Sequence, residues 1–297
     1  MHDIIVIGAG PAGLTAALYA LRGGKSVLVL EKGTFGGQVT YSPKIENYPG
    51  FLQMSGAEFA DKLTEQVLAQ GADIEMETVT AVEKKDGVFT VTTDCGNHSS
   101  KAVIIAVGVK HRLLGLAGEE ELIGKGVGFC AVCDGAFYAD GTVAVIGGGN
   151  SALQEALLLA ETSKKVYVVQ NLAFLTGEGK LCEAVESKEN IEVIYNAAVK
   201  ELKADENLKS IVLDVDGTEK ELELDGMFIA IGLVPENGIF EKLCSLDNGY
   251  IAADEGCLTA TEGLFVAGDC RTKTVRQITT AVADGAAAAL AACRYVN

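Results

Sequence analysis

The run Ile4-Ile5-Val6-Ile7, followed at once by Gly8-Ala9-Gly10-Pro11-Ala12-Gly13, constrains this chain more than any other stretch. An unbroken group of β-branched residues predicts a strand buried on both faces, the kind found in parallel sheets. Leu14 to Arg22 reads as a helix stopped by Gly23-Gly24, and Val27 to Leu30 as a second strand closing at Glu31. A strand, a G-x-G-x-x-G turn, a helix and a second strand ending in an acid form a βαβ unit of the dinucleotide-binding type. Each part has a physical task. Gly8 allows the tight turn, Gly10 lets backbone approach a pyrophosphate, and Gly13 allows close packing of helix on strand. The helix N-terminus, entered at Pro11 and Ala12, offers unpaired N–H groups and a partial positive charge to phosphates. Glu31 can accept from a ribose diol. These features suit FAD and NAD alike.

The pattern recurs. Val143 to Ile146 is a strand, Gly147-Gly148-Gly149-Asn150-Ser151-Ala152 a turn, Leu153 to Glu161 a helix and Lys165 to Val169 a strand. Between the repeats, Thr78 to Glu83 and Val88 to Thr93 flank Lys84-Lys85-Asp86-Gly87, a hairpin signal. Similar antiparallel strands are expected around 193–224. Apolar strands end at Gly108, Gly232 and Gly268, and the last helix, Gln277 to Tyr295, is expected to break or soften at Gly285. The fold class is α/β, with two Rossmann-like (three-layer ββα) nucleotide-binding domains, the second inserted in the first. Residues 1–113 and 244–297 form the first and 114–243 the insert, and 297 residues suffice for both.

A net charge of −17 argues against nucleic acid or an anionic membrane as the main partner. No apolar run has membrane length, and the N-terminus reads as a strand rather than a secretory signal, so a cytoplasmic location is expected. Of the eight cysteines, Cys130-Ala131-Val132-Cys133 stands apart, because a dithiol at this spacing can close and reopen a small ring and so hold two electrons. Half a zinc site is the alternative, but no second Cys-x-x-Cys or Cys/His pair accompanies it, and no metal is expected. Cys95, Cys182, Cys244, Cys257, Cys270 and Cys293 are dispersed and read as small, buried or unreactive thiols.

Over nearly its whole length the chain resembles the low-molecular-weight thioredoxin reductases, which are dimeric flavoproteins. The matching stretches are Gly8 to Gly13, Gly36-Gly37-Gln38, Glu46-Asn47-Tyr48-Pro49-Gly50-Phe51, Cys130-Ala131-Val132-Cys133-Asp134-Gly135, Gly268-Asp269 and Arg276-Gln277. The resemblance implies that Glu31, Gly37, Gln38, Asn47, Asp269, Arg276 and Gln277 line FAD, with Val82 and Gly108 helping through their backbone. It implies further that Cys133 exchanges electrons with the flavin, that Cys130 attacks the disulfide of thioredoxin, and that Asp134 is the acid serving the dithiol. It also implies a homodimer whose insert rotates as a body on linkers near 111 and 240.

The chain departs from this family at the second turn. Members that use NADPH carry His-Arg-Arg after the second strand of the insert, a clamp for the 2′-phosphate, whereas Val168 to Thr176 contains no cation. An NADH site would have Asp or Glu there, and this chain has Gln170. Asn150 replaces a common acid, and Gly232-Leu233-Val234-Pro235 lacks the usual histidine. In this the chain is similar to the ferredoxin-dependent flavin thioredoxin reductases. The expected route is therefore from ferredoxin through FAD and Cys130/Cys133 to thioredoxin. The alternatives are an NAD(P)H-dependent thioredoxin reductase or diaphorase, a reductase of some other dithiol or peroxide, and a redox sensor. Lys164-Lys165, Lys110-His111-Arg112 and Arg271/Lys273 are candidate basic islands for an acidic donor, or simply solvated surface charge.

Overall fold

The computed structural model describes residues 1–42 and 45–297. It divides into two compact units, 1–110 with 234–297 and 111–233. The second crossing lies ten residues before the boundary read from the sequence, because Phe240 and Cys244 pack into the core of the first unit.

The chain starts with β1 (His2–Ile7), α1 (Pro11–Arg22), β2 (Val27–Glu31), α2 (Gly56–Ala69), β3 (Asp73–Met76), β4 (Val79–Lys85), β5 (Val88–Thr93) and β6 (Asn97–Ile105). After the insert come the short β17 (Leu246–Asp247) and β18 (Tyr250–Ile251), then β19 (Leu264–Val266) and the long α6 (Ile278–Tyr295). The sheet order is β3-β2-β1-β6-β5-β4, with β19 also pairing β6. Strands β3, β2, β1, β6 and β19 are parallel; β5 runs antiparallel to β6, and β4 antiparallel to β5. Successive residues of each parallel strand feed opposite cores, since the side-chain period is two. Ile4, Val6, Val27, Val29, Ala102 and Ile104 pack with α1 and α6. Ile5, Ile7, Leu28, Leu30, Val103 and Ile105 pack with Phe89 and Val91 of the antiparallel ribbon. That is why these strands read as continuous apolar runs. Helix α6 is unbroken at Gly285. A Cβ there would lie 2.2 Å from the Ala12 carbonyl oxygen, so the glycine is a seat for α1 rather than a breaker.

The chain passes into the insert through β7 (Lys110–His111) and leaves through β16 (Leu233–Val234). Its parallel sheet has the order β11-β10-β9-β15-β8, from Val127–Gly128 (β8), Thr142–Ile146 (β9), Lys165–Val169 (β10), Ile191–Ile194 (β11) and Gly226–Ile229 (β15). Helices α4 (Asn150–Leu159) and α3 (Ala131–Asp134) pack on one face. An antiparallel sheet of β12 (Ala197–Ala204), β13 (Leu208–Val215) and β14 (Thr218–Glu223) packs on the other. Among the described residues no helix is long and apolar enough to cross a membrane.

Candidate functional site

In the first unit the glycine turn is built as the sequence requires. Gly8 has φ +103°, and a Cβ there would lie 2.4 Å from Ala106 O; one on Gly13 would lie 1.8 Å from Gly8 O. Around Gly10, by contrast, the nearest atom to a Cβ would be 3.9 Å away. Helix α1 begins at Pro11, with no side chain capping it, so its first N–H groups face an open approach. Glu31 sits beside the turn, and its carboxylate accepts from the N–H groups of Ala9 (2.7 Å) and Gly33 (2.8 Å).

The other expected FAD residues collect on this frame. The Gly36 N–H donates to Ala9 O (2.7 Å), and Gly37, at φ +59°, lies over Gly10. Gln38 donates to Val109 O, holding the segment that carries Gly108. Asn47 donates to the Gln277 side chain (3.3 Å), and Arg276 donates to Asp269 O (3.4 Å) while its guanidinium lies over Tyr250. Gly108 has φ +64° with open space beside it, and the Val82 side chain is buried in the core, leaving only its backbone for a ligand. Asp269 is the telling residue. It is largely buried, burial raises its carboxyl above the usual range, and Oδ1 has no partner. A buried acceptor without a donor fits a ligand that brings hydroxyl groups. These features suit FAD, which would lie along the α1 turn with Asp269 toward its ribityl or phosphate end.

In the second unit Cys130 and Cys133 are joined as a disulfide, with their Cα atoms 5.3 Å apart. Cys130 precedes α3 and its carbonyl accepts from the N–H groups of Cys133 (3.1 Å) and Asp134 (3.0 Å). Both cysteines are half-buried, with Val132 between them 61% exposed. Asp134 also interacts with Tyr138, whose hydroxyl is pushed up by burial and, less, by that carboxylate. The remaining cysteines differ in kind. Cys244, Cys257 and Cys270 are buried, with thiols pushed up to about 11, 11 and 12. Cys95 is exposed, yet desolvation and the neighbouring carboxylates raise its pKa too. Thiols held protonated are poor nucleophiles.

The second glycine turn can be overlaid on the first by its hydrogen bonds. Gly8 N–H donates to Leu30 O (2.8 Å) and Gly147 N–H to Val169 O (2.9 Å), so Gln170 stands where Glu31 stands. The two residues behave differently. Gln170 is 4% exposed, its Nε2 donates to Phe174 O (2.9 Å), and its amide fills the space where a Cβ on Gly148 would go. The following loop is stitched over the turn: Thr176 and Gly177 N–H groups donate to Gly148 O (2.8 and 3.1 Å), and Asn150 is bonded twice to Glu178 (2.7 and 3.2 Å). A cavity of about 800 Å³ remains beside Gly149 and Val199. Its walls include His111 and Arg112, which the sequence had placed in a linker. His111 stacks on Phe129 at 4.3 Å and burial pulls it down to about 4, leaving Arg112 as the sole permanent cation among the lining residues.

Of the candidate docking islands, Arg112 and Lys164 stay exposed, and the other cations are engaged. Arg271 and Lys273 are buried (2% and 5% exposed side chains), Lys110 pairs with Glu236 and Lys165 with Glu192. Sequence reading also passed over Glu155, whose signal was only its place on the inner face of α4. It lines the same cavity, its carboxyl faces the Ala131 N–H between the two cysteines, and its Oε2 is buried without a partner.

A phosphate-type turn in one unit and a closed dithiol beside a second such turn in the other define an oxidoreductase that couples a nucleotide cofactor to a disulfide. The family described as "Pyridine nucleotide-disulphide oxidoreductase" matches residues 2–285. The thioredoxin reductase of Treponema pallidum is 39% identical over all of this chain and 97% of its own, and that of Listeria innocua 41% over 100% and 94%. The crystal structure of thioredoxin reductase from Streptococcus pyogenes superposes with a TM-score of 0.94 at 37% identity, covering 99% of this chain and 98% of that one. The chain belongs to the low-molecular-weight thioredoxin reductase family.

Proposed function

We propose that this protein reduces the disulfide of thioredoxin with electrons from reduced ferredoxin, and that FAD is its cofactor. The observation that carries the donor is Gln170. Where a nicotinamide site would need a carboxylate or a cationic clamp, it offers a neutral amide bonded to its own loop. Glu178, bonded to Asn150 at the start of α4, adds a negative charge where a pyrophosphate would approach. Thioredoxin as acceptor is supported by the names of the relatives.

FAD, held by the Gly8–Gly13 turn, Glu31, Gly37, Gln38, Asn47, Gly108, Asp269, Arg276 and Gln277 and the backbone of Val82, would supply the conversion of single electrons into pairs. The protein's own part lies in the thiols. The Cys130 thiolate attacks one sulfur of the acceptor disulfide, forming a mixed disulfide as the other acceptor sulfur leaves as thiolate. Cys133 then attacks the Cys130 sulfur. The ring disulfide re-forms, the second acceptor thiolate departs, and two electrons have moved from the dithiol to the acceptor. Asp134 takes up and returns the dithiol protons.

The rival reading is an NAD(P)H-dependent reductase or diaphorase. It is favoured by the remaining cavity and by the uncapped start of α4 at Gly149. Anaerobic mixing with NADPH, NADH and reduced ferredoxin, followed by flavin absorbance, separates the two. Bleaching by ferredoxin alone is expected, and rapid bleaching by NADPH at micromolar concentration overturns the proposal.

A further inference from the structure

A single buried carboxylate, Asp284 of α6, gathers four donors from the loop that follows β19. Its Oδ1 accepts from Arg271 Nη2 (2.8 Å), and its Oδ2 accepts from Arg271 Nε (2.9 Å), Lys273 Nζ (2.9 Å) and the Gly268 N–H (3.0 Å). All three side chains are nearly sealed from solvent. A buried ion cluster is weak evidence of stabilisation, since apolar residues of similar volume often serve as well. The placement of this one is more specific. The next residue, Gly285, seats α6 against the Ala12 carbonyl, and Gly268 lies against the Ala12 side chain. Asp284 therefore links the phosphate turn of α1 to the residue immediately before Asp269, the carboxyl with an unpartnered buried oxygen. Two cations share one carboxylate, and Lys273 also acts on Asp269.

We infer that Asp284, held by Arg271 and Lys273, is the positioning residue of the flavin site, fixing Gly268 so that Asp269 faces its ligand; this rests on reading the first unit as the FAD site. Asp284 acts through the loop and touches no ligand itself. The charged and titratable groups facing it are Arg271, Lys273, Asp269, Cys257 and, through Arg271, the exposed Glu255. The two cations hold its carboxyl below the usual range, so its contribution is present at neutral pH and lost only under acid conditions.

The test is FAD titration of the stripped protein, read by flavin fluorescence, alongside thermal unfolding of the same FAD-free protein. Asp284→Asn is expected to weaken FAD at least tenfold. Lys273→Met leaves the Arg271–Asp284 pair, so it keeps the fold if the first variant does not. It is expected to weaken FAD a few-fold and to move acid-induced FAD release to higher pH, because Asp284 with one cation fewer protonates earlier. Unchanged FAD affinity and release pH in Lys273→Met, with a lowered unfolding midpoint alone, overturns the inference and leaves a merely structural cluster. Failure of the unaltered protein to bind FAD overturns the reading of the first unit as well.

Discussion

Glu155 shows what a single misplaced charge does. Burial pushes its carboxyl up to about 7, and the Ala131 N–H only partly offsets this. An acid whose pKa is higher in the folded state binds more protons folded than unfolded, so it makes stability fall as pH rises from about 4.5 to about 7. Glu155→Gln removes that term. Its thermal midpoint, compared with the parent at each pH, should improve by a few degrees between about pH 5 and about pH 8; a difference constant with pH would show that the carboxyl titrates normally. At the dithiol, Cys130→Ser is expected to abolish thioredoxin reduction while leaving the flavin reducible by its donor. Loss of both would place Cys130 in cofactor binding instead, and a parent protein with no turnover at all would point to a sensor. Legibility at this scale divided along physical lines. The Gly8 to Gly13 roles were readable because backbone geometry alone imposes them. The Arg271–Asp284 pair was not, because nothing local marks two residues thirteen apart as partners, and Arg271 and Lys273 in sequence look like surface charge.

Among the elements, the parallel strands were legible because both of their faces are buried, so each is written as an uninterrupted apolar run. Helix α2 was missed although it carries a signal, Ser55-Gly56-Ala57-Glu58, and that capping box is formed on both sides. Helix α5 (Gly179–Ser187) was missed because its apolar stripe is only three residues, Leu181, Cys182 and Val185, spread over little more than one turn before a polar end. On the proposed reading, the loop after β10 is the element that turns a nicotinamide nucleotide away, and it can be rewritten. Gln170→His, Asn171→Arg and Leu172→Arg together replace a closed, uncharged rim with two cations and a ring nitrogen, and bidentate cation–phosphate contacts are strong. The triple variant is expected to acquire NADPH binding in a fluorescence-quenching titration that the parent fails. If the parent binds as well as the variant, the rim does not set specificity.

Across the whole molecule, charge dominates encounter. With a net charge of −17 and most of the candidate basic residues paired or buried, leaving Arg112 and Lys164 exposed, an acidic ferredoxin meets repulsion at long range. Salt screens that repulsion, so the rate of reduction by ferredoxin should rise or hold steady between about 20 and about 200 mM salt. A steep fall would reveal a cationic dock on this surface. The boundaries between units were the least legible feature at this scale, since the return crossing is set by which core claims Phe240 rather than by any break in composition. The paired turns carry a wider lesson. Gly8 and Gly147 are locked by the same backbone crowding, so a fold built this way needs both glycines whether or not a pocket holds a guest. The strand-end residue, Glu31 in one copy and Gln170 in the other, lies outside that crowding and differs between the two. In doubled folds such as this, ancestry is written in the hinge of the loop, and present-day appetite for a coenzyme is written at its lip.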